Sequence, residues 1–168
     1  AGGIGETIRF VRPLAIDHGG VLGRIGSRLL APIFRFATGH ARLEPLGAGD
    51  HRVDEIWAAT APELHIATVR DAAFYDWRFL RSPSQKQTPH LVLDGERAIA
   101  ACALETVGDD LRIVDLVAPR RAWSRALSAI VRQAGEANGL ELKLVREDGD
   151  ARQVWRYGFF PRGTKPLN

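Results

Sequence analysis

With 168 residues and a formal charge of +3, the chain has room for about one domain with a real hydrophobic core, and its charge is that of an ordinary soluble protein. Its basic residues are nearly all arginines, the lysines being Lys86, Lys143 and Lys165, and they are interleaved with Asp and Glu instead of forming the concentrated basic face of a nucleic-acid binder. A single cysteine, Cys102, excludes an internal disulfide and a cysteine-based zinc cluster, and no apolar run reaches the ~20 residues that cross a bilayer.

The first element in chain order is a strand over Thr7 to Leu14, with Ile8 and Phe10 expected to be buried; it stands alone, without evident sheet partners. Asp17 to Ala37 has Val21, Leu22, Ile25, Leu29, Ile33 and Phe36 on one side and Arg24, Arg28 and Arg35 on the other. This pattern predicts an amphipathic helix, kinked or split at Pro32, that docks between domains or lies on a membrane surface. Residues 1–40 therefore read as the end of a preceding unit plus a linking helix, and residues 41–168 as the principal domain. The chain has no methionine, so it reads as a piece of something longer or as a processed form. No signal peptide is visible, and the expected compartment is the cytoplasm.

Ala41 to Leu46 predicts a short strand and Asp50 a helix N-cap. Val53, Ile56 and Trp57 follow at helical spacing up to Pro62. Asp71 caps a second helix, whose core face is expected to be Phe74, Trp77 and Phe79 or Leu80. Pro89 to Leu93 and Arg97 to Thr106 read as antiparallel strands joined at Asp94-Gly95, a tight-turn signal. Cys102 lies in the second of these, in an apolar run, and reads as a buried inert thiol. Gly108-Asp109-Asp110 turns the chain into Leu111 to Val117, a run of branched aliphatics interrupted by Asp115. Ala118-Pro119 ends that strand. A helix then presents Trp123, Leu127, Ile130, Val131 and Ala134 on its apolar stripe and Arg121, Arg125, Ser128 and Arg132 elsewhere, with Asn138-Gly139 as its stop. Leu140 to Val145 reads as the next buried strand, which makes a βαβ crossover with two parallel strands. A short helix over Ala151 to Tyr157 and a final strand from FFPRG complete an α/β fold with a mixed sheet. A ligand pocket is expected where the Leu111 strand gives way to the long helix, because helix N-terminal amides favour anions.

The order from residue 41 resembles the GNAT fold of acyl-CoA-dependent N-acyltransferases: strand, two helices, three antiparallel strands, long helix, strand, short helix, strand. The tail ARQVWRYGFF resembles a GNAT ending in which a short helix runs into Gly-Phe. VRDAAFYDWRFLRSP and LRIVDLVAP resemble a bacterial GNAT-related branch, some of whose members carry two such units in tandem. The resemblance implies an acyl-CoA co-substrate, acetyl-CoA or another, held by Val117, Arg120, Arg121, Ala122, Trp123 and Arg125, with no metal. It also implies a small-molecule amine as acceptor and a sister GNAT-like domain as a partner. Two departures stand out. The family's acyl-CoA loop carries glycines that let backbone amides reach the pyrophosphate, and Pro119 to Arg125 has none. Many members have a tyrosine as general acid four residues before the Gly of Gly-Phe, where this chain has Val154.

Asp115 is the first candidate general base, since a carboxylate inside an apolar strand needs either a reaction or a partner. The alternative is an ion pair with Arg78 or Arg70. Glu105, near the end of the preceding strand, is the second candidate base or else an exposed strand-end carboxylate. Trp77 and Arg78 are candidates for an acceptor pocket, one packing and one pairing. The five histidines show no metal spacing. Two functions compete: an acyl-CoA-dependent N-acyltransferase, and a non-catalytic GNAT-like module that binds a ligand or a sister domain.

Overall fold

A computed structural model describes residues 6–13, 40–64, 67–83, 86–134, 137, 139–145, 154 and 159–166. The helices expected over Asp17 to Ala37 and Ala151 to Tyr157 lie outside the described residues, Val154 excepted, as do the side chains of Ile8 and Phe10. The chain forms two compact units, residues 37–106 with 114–133, and residues 1–36 with 107–113 and 134–168.

The first unit is built on strands β2 (Arg42–Pro45), β3 (Gln87–Asp94), β4 (Arg97–Val107) and the second half of β5 (Asp110–Val117), in the order β2-β3-β4-β5. β2, β3 and β4 pair antiparallel, β3 and β4 through the tight turn at Asp94-Gly95. Gly95, in the β3–β4 turn, has a φ of 62°, a conformation that costs glycine nothing. Leu91, Leu93, Ala101, Ala103 and Val117 from the strands form one apolar cluster with Val53 and Ile56 of helix α1 (Arg52–Thr60) and Tyr75 and Phe79. Tyr75 ends helix α2 (Ala72–Tyr75), and Phe79 lies in the π-helical turn Asp76–Leu80 that continues it. Cys102 is fully buried, as its apolar setting predicts.

Carboxylates tie these helices together. Asp71 caps α2 as expected, accepting from the Phe74 amide at 2.8 Å, while Asp54 of α1 accepts from the Ala72 amide at 2.8 Å. Asp50 accepts from the Arg52 amide at 3.1 Å and from its guanidinium at 2.7 and 2.9 Å. That hydrogen bond holds the Asp50 carboxyl below the usual carboxylate range.

Two expectations about packing are corrected here. Trp77 is 68% exposed, and Tyr75 takes the core position instead. Tyr75 and Phe79 stand four residues apart and so share one helical side, at a turn closed by a π-type hydrogen bond from the Arg81 amide to the Asp76 carbonyl. The Tyr75 and Phe79 rings accordingly lie 5.1 Å apart, and Trp77 falls on the outer side. Helix α3 (Arg120–Gln133) buries Ala122, Ala126, Leu127, Ala129 and Ile130, so its core face is centred on alanines, with Trp123 and Val131 half-buried at the margin. It packs on β2 and β3. It also stops earlier than Asn138-Gly139: the Ala137 amide bonds the Ala134 carbonyl at 2.7 Å in a tight turn, and Gly139 begins the next strand.

The second unit contains the first half of β5 with β6 (Gly139–Val145), β1 (Glu6–Pro13) and β7 (Phe160–Pro166), in the order β5-β6-β1-β7. β5 and β6 are parallel, as the βαβ reading requires, with register from Asp110↔Gly139 to Ile113↔Leu142. The expectation that β1 lacks sheet partners is overturned: it pairs antiparallel with β6 from Thr7↔Val145 to Pro13↔Gly139, and with β7 on its other edge. Pairing across more than a hundred residues leaves no local mark in a sequence.

Candidate functional site

Asp115 lies two residues before the end of β5. Arg70 Nε donates to its Oδ1 at 2.9 Å and the Tyr75 hydroxyl to its Oδ2 at 3.1 Å. The carboxylate is 14% exposed, and Tyr75 is sealed from solvent. Burial first, and then the negative charge of Asp115, push the Tyr75 phenol well above its ordinary range, so Tyr75 is a donor here. Burial, helped by the same charge, pushes the Cys102 thiol up to about 12, which makes it a poor nucleophile. Of the two partners proposed for Asp115, Arg70 is the one present. Arg78 is exposed, its guanidinium 5.7 Å from the centre of the Phe79 ring. The arrangement clamps the approach to α2 onto β5 and engages both oxygens that a base would use.

Glu105 is half-buried near the end of β4, opposite Gln87 of β3. Trp77 shows its indole to solvent with Phe74 beside it, ring centres 6.2 Å apart.

At the other candidate location, β5 ends at Val117, 2% exposed, and the chain turns through Ala118-Pro119 into α3. The Arg120 amide donates to Glu63 Oε2 at 2.7 Å, so a carboxylate of this chain already occupies the first helical amide. Glu63 ends the short 3-10 turn Ala61–Glu63, and nothing in the sequence links it to a helix 57 residues away. The Ala122 amide is taken by the Pro119 carbonyl at 2.7 Å. Trp123 donates its indole N–H to the Ala118 carbonyl at 3.0 Å, which anchors the ring at the turn. Arg125 forms an ion pair with Asp94 at 2.6 Å. Beside this turn is a cavity of about 270 Å³, bordered by Arg121, Ala122 and Arg125 of α3, by α1, and by the β3–β4 turn. Among the described residues, no group of three or more His, Cys, Asp or Glu is placed to hold a metal ion, and no helix is long and apolar enough to cross a membrane.

Comparison with known protein families finds no matching family, and no curated protein matches the chain. Solved structures do match. A conserved protein of unknown function from Enterococcus faecalis V583 superposes with a TM-score of 0.66 at 9% identity, over 98% of this chain and 39% of its own. A GCN5-related N-acetyltransferase from Anabaena variabilis gives 0.59 at 14% identity, over 98% of this chain and 39% of its own. Another from Kribbella flavida gives 0.57 at 17% identity, over 97% and 36%. The chain has the GNAT fold. It spans less than two fifths of the length of each of these three proteins.

Within the GNAT fold, the sequence departures have physical consequences. Without glycine, the turn at Pro119 to Arg125 keeps side chains where a backbone cradle would be open. Val154 is fully buried, and its carbonyl accepts from the Phe159 amide at 3.4 Å, so that position carries packing. Tyr157 lies outside the described residues.

Proposed function

We propose that this chain is an acyl-CoA-dependent N-acyltransferase domain of the GNAT type. The observation that carries the reading is the arginine-bordered start of α3 at the end of β5, in a GNAT fold. Acyl-CoA phosphates would be held by the side chains of Arg120 and Arg121 with the amides of Arg121 and Trp123, and Arg125 would be set in place by Asp94. A primary or secondary amine attacks the thioester carbonyl, the C–N bond forms, the C–S bond breaks, and CoA leaves as its thiol once the amine proton has been passed on. Amides near Val117 stabilise the oxyanion. Asp115, both of whose oxygens are engaged, and Glu105 are the two candidate bases, and Trp77 and Arg78 are the residues proposed for the acceptor side. The proposed partners are a small-molecule amine and a sister GNAT-like domain.

The Glu63 contact to the Arg120 amide favours a second reading, a non-catalytic GNAT-like module in which an internal carboxylate replaces the phosphate. Calorimetric titration with acetyl-CoA separates the two. Saturable heat, and turnover of an amine panel that slows in Glu105→Gln with little change in acetyl-CoA affinity, supports the enzyme. No heat at millimolar acetyl-CoA and no shift in melting temperature leaves the module.

A further inference from the structure

Among the described residues, three large hydrophobic side chains are exposed, Val69, Trp77 and Val107, and they lie on two surfaces of opposite charge. Val69 and Trp77 flank α2, in a stretch over residues 67–90 whose only acids are Asp71 and Asp76. Both acids are engaged: Asp71 accepts from the Phe74 amide at 2.8 Å, and Asp76 from the Gly49 amide at 3.1 Å. Arg78, Arg81 and Lys86 are exposed in the same stretch. Arg78 rests on the Phe79 ring with no carboxylate partner among the described residues, and Arg81 reaches Asp76 only at 4.0 Å. The second surface is the β4–β5 hairpin tip, where Thr106 to Asp110 are all exposed. There Val107 is followed by Asp109 and Asp110, neither of which has a cation partner among the described residues. The next cation along the chain, Arg112, is held by Glu141 at 3.4 Å.

We infer that the Trp77 surface binds the β4–β5 hairpin tip of a second copy of this chain, so that copies associate head to tail. Each surface supplies what the other lacks. The indole of Trp77, with Phe74 beside it, offers apolar area to Val107, and the guanidinium forks of Arg78 and Arg81 match the carboxylates of Asp109 and Asp110. Trp and Arg are the side chains that most often carry the binding energy of a protein contact. Arg78 is already steadied by the Phe79 ring, and the hairpin tip by the two strands that it joins, so both sides lose little freedom on meeting. Three cations fall short of the cluster of about four to eight that holds a protein on anionic lipid, so the surface suits a small acidic protein element better than a membrane. Because the two surfaces differ, the contact is heterologous, and copies add one after another unless a ring closes. The inference goes beyond the acyltransferase reading and needs no acyl-CoA. Trp77 and Arg78 are also proposed for the acceptor side, so a docked hairpin and an acceptor amine compete for them.

The test is analytical ultracentrifugation of the full chain at low salt, from about 10 μM to about 1 mM, the range of a small contact. The expected result is a mass that rises with concentration and falls back with added salt. Trp77→Ala with Arg78→Ala removes one surface, and Asp109→Asn with Asp110→Asn removes the charge of the other. All four side chains are exposed, and circular dichroism confirms that both variants fold. Each variant alone should associate at least about tenfold more weakly. An equimolar mixture of the two retains one intact surface of each kind, so it should recover association that stops at pairs. A chain that stays monomeric over the whole range overturns the inference, and sedimentation of that monomer with phosphatidylserine vesicles would assign the Trp77 surface to a membrane instead. Association that either variant leaves unchanged, or a mixture no heavier than its separate components, overturns it as well.

Discussion

Tyr75 shows how one buried hydroxyl determines what a neighbouring carboxylate can do. Its ring fills the core of the first unit while its hydroxyl, cut off from water, donates to Asp115. A buried donor of this kind must find an acceptor, and Asp115 satisfies it while Arg70 matches the charge. Tyr75→Phe keeps the ring and removes the donor. A hydrogen bond to a charged group contributes about 1.5–3 kcal/mol, so urea unfolding should show a loss of that order. An unchanged midpoint would mean that the phenol and the carboxylate do not support each other. Asp115 was legible in the sequence as a polar residue in an apolar strand, and Arg70 as one of two possible partners. Tyr75 was not, because helical spacing fits Phe74 with Trp77 as well as Tyr75 with Phe79.

At the level of the element, α2 is the clearest departure from regular periodicity. The five residues that follow it, Asp76–Leu80, form a wide turn, and Tyr75 and Phe79 share the side that meets the core. Phe79 is 4% exposed and Trp77 68%, although they are two residues apart and both aromatic. Phe79→Ala should therefore cost about 3–5 kcal/mol by leaving a cavity. Trp77→Ala should stay within about 0.5 kcal/mol, as surface substitutions do. Denaturant midpoints of the two variants measure this directly, and a large loss from Trp77→Ala would place the indole in the core after all. If Trp77 contacts an acceptor, its replacement should raise KM for the amine at unchanged stability. Helix α3 was legible as an amphipathic element, and its start was located correctly from Pro119. Its buried face was harder to read because alanines carry little hydrophobic signal yet permit close packing.

At the level of the whole molecule, the informative element is β1. It is hydrogen-bonded on both edges, by β6 and by β7, so it is interior to the strand order of the second unit. Removing residues 1–13 would leave the β1-facing edges of β6 and β7 without a partner. Hydrogen exchange of the shortened chain should show amides of Leu140 to Val145 losing protection by at least about tenfold, one decade for each 1.4 kcal/mol of local opening energy. Protection equal to that of the full chain would mean that β1 is dispensable, and would support a boundary near residue 40. The proposal that this segment closes a preceding unit predicts in addition that a longer chain keeps the same β1–β6 register.

The sequence by itself determined the kinds of element and much of their order. Gly95 and Gly108 marked the hairpin turns, Asp71 the start of α2, Pro119 the start of α3, and the apolar runs at Leu111 and Leu140 the parallel pair. These are signals written within a few residues by backbone preference and by hydrophobic spacing. Tertiary structure alone decided that β1 enters the strand order between β6 and β7, that Glu63 reaches the first amide of α3, and that Arg97 and Arg121 face one cavity. Each of those contacts joins positions far apart in the chain. Its energy depends on distance and burial in three dimensions, which no local pattern of residue types records.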